Sequence, residues 1–398
     1  MKTDDNGKII QVEIGGENTW HMYGPVFFSK NFSNQLVPLL KKAYEQPGTE
    51  HFYWEDVLKR NLEVLDIYIN RQSNNTVYEF ESLEELRGFD LTYREQSKNK
   101  IMSLICSVFK VKEEEIRDIK PLIIGMTNRS FTFNIYEKTY ICRIPGEGTD
   151  KLINRDEEYY CIQAVKSLNI TEKVVYINPK SGIKISEFEM EARSLNLNSN
   201  TELFKSMKVL NKLHNSNIIV PHSFDIEKNI LFYEELCNRS GAIMFEDHTV
   251  VRKMMSELIL ILKNMNIPSA FCHIDAHFEN FLVLKNGNLK LIDWEYAGMC
   301  DPLIDVSMFA LYGEMDNQEI EKLMNYYFER NPTHEERLRV YIYIALGGFL
   351  WGMWAQYKQS LGVNFGEYAV AMNQYAKDYY KESMDILLEV KRYEVTEK

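Results

Sequence analysis

Apolar positions frame this chain, and their period changes along it. In residues 32–44 they fall at Leu36, Leu39, Leu40 and Ala43, one face of a helix, with Ser33 placed as a cap and Pro38 weakening the first turn. Residues 53–69 carry a second helical pattern, and Ser82 with Glu85 has the spacing of a capping box opening a short helix. Further helices are predicted over 93–109, 202–214, 250–265, 318–327 and 335–357. Short apolar runs predict strands at 8–14, after an Asp-Asn-Gly turn, and at 24–28, 76–80, 140–146, 174–177 and 182–188. Residues 123–135 hold two more, on either side of Gly125 to Asn128. The clearest hairpin lies at 281–292, where two apolar runs meet across Asn286 and Gly287.

Composition narrows the class. At 398 residues the chain is long enough for two or three domains, and 45% apolar with 26% charged residues is the balance of a globular protein. The net charge of −12, with no run of Lys and Arg, argues against nucleic acid or an anionic membrane as main partner and suits a cationic substrate. Cys106, Cys142, Cys161, Cys237, Cys272 and Cys300 form no C-x-x-C pair, which predicts reduced, mostly buried thiols and a cytoplasmic protein. The N-terminus is polar, so no signal peptide is expected. The longest apolar stretch, 340–355, is short for a membrane span and is broken by Gly347 and Gly348; a buried helix is expected there.

Candidate chemistry gathers at the hairpin. His273, Asp275 and Asn280 form H-x-D-x-x-x-x-N just ahead of it, and its second strand ends on Asp293. The turn therefore brings Asp275, Asn280 and Asp293 to one end of a small sheet. Phosphoryl transfer needs such a set: a carboxylate beside the attacking hydroxyl, and hard oxygen ligands for Mg²⁺ on the nucleotide phosphates. The order of Asp, Asn five residues on, and Asp after a hairpin is that of protein kinases, with Ile292-Asp293-Trp294 standing where those carry Asp-Phe-Gly. The alternative is a surface hairpin with scattered acids.

H-x-D-x-x-x-x-N followed by IDWEYAG and D-P-x-x-D resembles the choline kinase and aminoglycoside phosphotransferase superfamily, and IDWEYAGMCDPLIDV is most similar to the bacterial choline kinases. The resemblance covers about residue 99 to the C-terminus. It implies an α+β, protein-kinase-like fold of two lobes, a small one over about 99–190 and a helical one over about 191–398, with ATP and Mg²⁺ as cofactors. Asp275 would be the catalytic base, and Asn280 and Asp293 the metal ligands. The G-M-T-N sequence would be the nucleotide loop and bring in Thr127 and Asn128. Arg143 stands where protein kinases place a lysine on the phosphates, and Glu158, in an I-N-R-x-x-E helix start, would orient it; a solvent-facing Glu158 is the alternative. Asp305 would support the catalytic loop, and His214, ending an L-x-x-L-H, would be structural.

Trp351 and Trp354, in W-G-x-W, would line a choline pocket, with Tyr296 and Tyr312 as weaker candidates. Taken alone, two tryptophans on an apolar helix are core residues. Trp is also the best aromatic face for a quaternary ammonium. Choline is the expected substrate, and ethanolamine, an aminoglycoside or another small alcohol stay open.

Residues 1–98 read as a separate unit. MYGPVFFS, FYWEDVLKRNL and VYEFESLEELRGFD resemble the C-terminal half of sugar-phosphate and phosphocholine nucleotidyltransferases. Those enzymes need a glycine-rich phosphate loop, absent here ahead of the matched region, and their acid pair reads Glu79-Phe80-Glu81-Ser82. A catalytically silent remnant or fragment of a fused cytidylyltransferase–kinase is expected. Part of a bifunctional enzyme, an unrelated appendage, and a silent binding protein are the alternatives.

Overall fold

A computed structural model describes the chain except residues 14–20, 23–25, 50, 74–75, 79, 81–82, 91–92, 94–98, 123–127, 147–152, 364 and 397–398, with side chains described up to 389. It divides into two compact units, Met1–Leu86 and Arg87–Lys398.

In the first unit a two-stranded antiparallel sheet, β1 (Lys2–Thr3) and β2 (Ile9–Gln11), accompanies α1 (Lys30–Tyr44) and α2 (Trp54–Arg60). Ile9, Phe32, Leu36, Val57, Leu58 and Leu65 form its core. The cap of α1 is Ser29, not Ser33: its Oγ accepts from the Phe32 N–H at 3.1 Å, and the helix starts earlier than the apolar face suggests. Pro38 lies well inside α1 rather than in its first turn. The helix expected over 53–69 stops at Arg60. Asn61 Nδ2 donates back to the Val57 carbonyl at 2.7 Å, and Tyr68 bridges to Lys8 in strand fashion. That partner lies 60 residues away in sequence, where helical periodicity gives no hint of it. Residues 26–28 and 76–78 form no strand; the remainder of the strand expected at 24–28, Glu79 and Ser82 lie outside the described residues. The short helix α3 (Leu83–Phe89) runs across the point of division.

The second unit opens on α4 (Lys100–Phe109), shorter than the helix expected over 93–109. Asn99 caps it, its Oδ1 accepting from Ile101 N–H at 2.8 Å. A five-stranded antiparallel sheet follows, built from β3 (Ile116–Leu122), β4 (Asn128–Ile135), β5 (Lys138–Pro145), β6 (Val174–Ile177) and β7 (Lys184–Glu187), in the order β3-β4-β5-β7-β6. Met102 and Ile105 of α4 pack on Phe133, Tyr140, Cys142 and Ile185 of this sheet. α5 (Arg155–Val165) lies between β5 and β6 in sequence.

The rest is mainly helical: α6 (Asn200–His214), α7 (Ile226–Ser240), α8 (His248–Lys263), α9 (Leu303–Tyr312), α10 (Asn317–Phe328), α11 (His334–Ser360) and α12 (Tyr368–Thr396). Five short strands interrupt them: β8 (Arg193–Ser194), β9 (Ala270–Cys272), β10 (Phe281–Val283), β11 (Leu289–Leu291) and β12 (Gly298–Cys300). α11 is the one described helix long and apolar enough to cross a membrane, and its apolar window is entirely buried in the protein core. Gly347 and Gly348, which break the apolar run in sequence, sit inside this continuous helix. A Cβ on Gly348 would stand 2.7 Å from the Met372 carbonyl oxygen of α12, so the glycine permits the close approach of the two helices. The six cysteines carry no disulfide.

Candidate active site

The hairpin forms where the Asn-Gly turn predicts it. β10 pairs antiparallel with β11, Phe281 opposite Leu291 and Val283 opposite Leu289. Gly287 has φ +76°, the left-handed conformation that such a turn requires. Ahead of it, β9 pairs with β12, Cys272 opposite Gly298. The segment carrying Asp275 therefore starts from one strand pair and ends in another.

Asp305 braces that segment from α9. Its two carboxylate oxygens accept the backbone N–H groups of His273, at 2.8 Å, and Ile274, at 2.6 Å. His214 Nε2 lies 3.0 Å from the same carboxylate, and its Nδ1 is 2.7 Å from the Tyr327 hydroxyl. Ile274 is held at φ +72°, a conformation that a β-branched residue keeps only when its surroundings impose it. His273 Nε2 donates to the Ile292 carbonyl at 2.8 Å, tying the segment to the end of the hairpin.

Asp275 and Asn280 meet directly. The Asn280 amide nitrogen donates to the Asp275 carbonyl at 2.8 Å and to its carboxylate at 3.1 Å. Burial, then the charges of Asp293 and Glu295, push the Asp275 carboxyl well above the ordinary range, against hydrogen bonds from Asn280 and Tyr312. A carboxylate with a raised pKa is the better proton acceptor, as a general base requires. His277 lies 3.7 Å from Asp275, and burial lowers its imidazole to about 4, leaving it neutral at pH 7.

On the other side stands a set of paired charges. Arg143 of β5 hydrogen-bonds Glu158 of α5, reaches Asp293 at 3.1 Å and lies 3.7 Å from Glu295. Arg155 contacts Glu158 at 2.8 Å and Glu295 at 3.3 Å. Glu158 is buried, so the solvent-facing alternative does not hold. Asp293 is itself at φ +70°. Burial works to raise its pKa, but Arg143 foremost, with Lys184 and two histidines, holds it below the ordinary value. Burial and Asp293 push Glu295 up to about 7. Two guanidinium groups thus face three carboxylates, an excess of negative charge that a divalent cation would offset. The Asn280 amide oxygen and the Asp293 carboxylate are hard ligands of the kind Mg²⁺ takes.

The aromatic residues also converge. Trp351, on α11, meets Tyr296 at 5.6 Å and Tyr312 at 6.2 Å between ring centroids, and Trp354 lies 6.5 Å from Trp351 and 5.0 Å from Phe365. Tyr312 in turn packs on His277 at 5.0 Å, so the cluster runs up to Asp275. Both tryptophans are buried, Trp351 donating to the Met308 sulfur at 3.3 Å. Asn128 opens β4, whereas Thr127 lies outside the described residues.

Sequence reasoning gave no role to Glu295, Arg155 or the buried pair Lys184–Glu172, 2.7 Å apart. Glu295 carried a usable signal, since it stands two residues beyond Asp293. Lys184 sits directly across from Arg143 on paired strands, a relation visible only once the register of β5 and β7 is known.

Residues 119–339 match the family described as choline/ethanolamine kinase. The chain belongs to the choline/ethanolamine kinase family. Among its curated relatives, protein LicA of Haemophilus influenzae is 27% identical over 257 residues, 62% of this chain and 75% of that protein. The crystal structure of choline kinase LicA from Streptococcus pneumoniae is 30% identical and superposes with a TM-score of 0.62, covering 71% of this chain and 98% of that one. A crystal structure of LicA in complex with AMP is likewise 30% identical, with a TM-score of 0.62, covering 72% of this chain and 99% of that one. The N-terminal region matches a 2-aminoethylphosphonate cytidylyltransferase of Lancefieldella rimae, 33% identical over 90 residues, and spans 37% of that relative's length. The family places the chain among kinase-like phosphotransferases, with a nucleotidyltransferase-like segment ahead of the kinase part.

Proposed function

We propose that the chain transfers the γ-phosphoryl group of ATP to the hydroxyl of choline, giving ADP and phosphocholine. The observation that carries this reading is the continuity of the site: the Trp351 cluster runs through Tyr312 and His277 to Asp275, and the Arg143 set lies beyond Asp293. An alcohol with its ammonium on the aromatic rings would present its hydroxyl to Asp275.

Asp275 takes the hydroxyl proton as the new O–P bond forms and the bond from the γ-phosphorus to the bridging oxygen of ADP breaks. Arg143, oriented by Glu158, faces the phosphate charge. Asn280 and Asp293 are the residues that would hold Mg²⁺, which would neutralise phosphate charge when bound. Most of the rate enhancement then comes from positioning and from charge stabilisation. Ethanolamine is the second reading, supported by the breadth of the family description. The paired tryptophans favour the quaternary amine, which has no N–H groups to satisfy and is well suited to cation–π contact.

Asp275→Ala is expected to lower turnover by about a hundredfold or more, while ATP binding, measured by titration calorimetry, is retained. Near-normal turnover would remove Asp275 from the role of base. Trp351→Ala is expected to raise the KM for choline more than that for ATP; an unchanged choline KM would return Trp351 to the core.

A further inference from the structure

The cation that faces Trp354 in this structure is the chain's own. Lys358 stands one helical turn beyond Trp354 on α11, at the i,i+4 spacing that brings side chains together. Its Nζ lies 6.0 Å from the centroid of the Trp354 ring, at the outer reach of a cation–π contact. Lys358 is half-buried, and among the described residues no carboxylate lies within 4.0 Å of its ammonium. Two other buried or partly buried lysines have carboxylate partners: Lys184 holds Glu172 at 2.7 Å and Lys377 holds Asp247 at 2.8 Å. Burial holds the Lys358 pKa below its ordinary value, with the charge of Glu295 acting the other way.

The other ring contacts of Trp354 are Phe365 and Trp351, and its buried Nε1 has no hydrogen-bond partner. Nothing anchors the ring by its N–H, so its faces carry its interactions. Two like charges do not share one ring face without cost.

We infer that Lys358 is a specificity-determining residue: its ammonium competes with that of the substrate for the face of Trp354, and so sets how tightly the aromatic cluster holds a cationic alcohol. The inference rests on the reading of Trp351 and Trp354 as the cation site. It differs from a purely structural role, in which a lysine in the last turn of α11 only complements the helix dipole. That role predicts a change in stability with no change in ligand affinity.

The test uses the full chain with Lys358→Met, which keeps the apolar stem and removes the charge, and Lys358→Arg, which keeps the charge. Binding of tetramethylammonium is followed by tryptophan fluorescence, and KM is measured for choline and for its uncharged isostere 3,3-dimethylbutan-1-ol. K358M is expected to bind tetramethylammonium and choline about threefold to tenfold more tightly, the range of a cation–π contact. K358R should behave as the parent, and the neutral alcohol should be unaffected. Unchanged or weaker tetramethylammonium binding by K358M overturns the inference. So does an equal gain for the neutral alcohol, or no tetramethylammonium binding by any of the three proteins. If tetramethylammonium binds more tightly to K358M while choline is not turned over by the parent, the choline reading fails and the role of Lys358 stands.

Discussion

Glu295 accepts from Arg155 at 3.3 Å and faces Arg143 at 3.7 Å, yet its carboxyl is pushed up to about 7 because it is buried beside Asp293. Two guanidinium groups do not fully offset the cost of three buried carboxylates. The ordinary value is 4.5, so between about 4.5 and 7 the folded chain keeps a proton that the unfolded chain has released. The contribution of Glu295 to stability therefore falls as pH rises through that window. Glu295→Gln removes this dependence and keeps an acceptor for Arg155. The stability of E295Q relative to the parent is expected to rise between pH 5 and pH 7.5, read as the difference in Tm across a buffer series. A difference that stays constant, or falls, would contradict the assignment. At this scale the sequence was informative about charge and order: Asp275, Asn280, Asp293, Arg143 and Glu158 are brought together as the motifs implied. It did not reveal that Arg155 and Glu295 close the same set, because their contact spans 140 positions.

Elements whose signal is local were legible, and those that depend on a distant partner were not. The β10–β11 hairpin follows from one Asn-Gly turn, and α11 from its apolar spacing. The helix expected over 53–69 was overread because its second half has helical spacing but pairs in part with Lys8. The cap of α1 was misplaced because Ser29 lies outside the apolar face that drew attention to Ser33. Gly347 and Gly348 mark close helix packing rather than a break. Glycine is poor in a helix by about 1 kcal/mol, so two in succession ask for a reason. At Gly348 an added Cβ would meet backbone atoms of α12 at 2.7 and 3.0 Å, whereas at Gly352 the nearest atoms are at 3.5 and 3.8 Å. Gly348→Ala is expected to destabilise by about 1–3 kcal/mol. Gly352→Ala is expected to be neutral or stabilising by up to about 1 kcal/mol. Denaturant unfolding of the two variants checks this; equal effects would show that the helices separate more easily than the contact distances imply.

At the scale of the whole molecule, the chain joins a nucleotidyltransferase-like segment to a kinase of the choline/ethanolamine family. The first unit has its own small core of Ile9, Phe32, Leu36, Val57, Leu58 and Leu65. The stretch similar to a cytidylyltransferase spans 37% of that relative's length. The chain incubated with CTP and phosphocholine is therefore expected to release no pyrophosphate above background, and clear release would show that the segment carries chemistry of its own. The kinase half makes the central claim. The most direct test of it is ADP release from Mg²⁺-ATP with choline, ethanolamine and kanamycin assayed in parallel on the same preparation. Turnover with choline is expected to stand well above that with the other two. Turnover with kanamycin or ethanolamine in preference to choline would contradict the reading of the tryptophan pair as a quaternary-ammonium site.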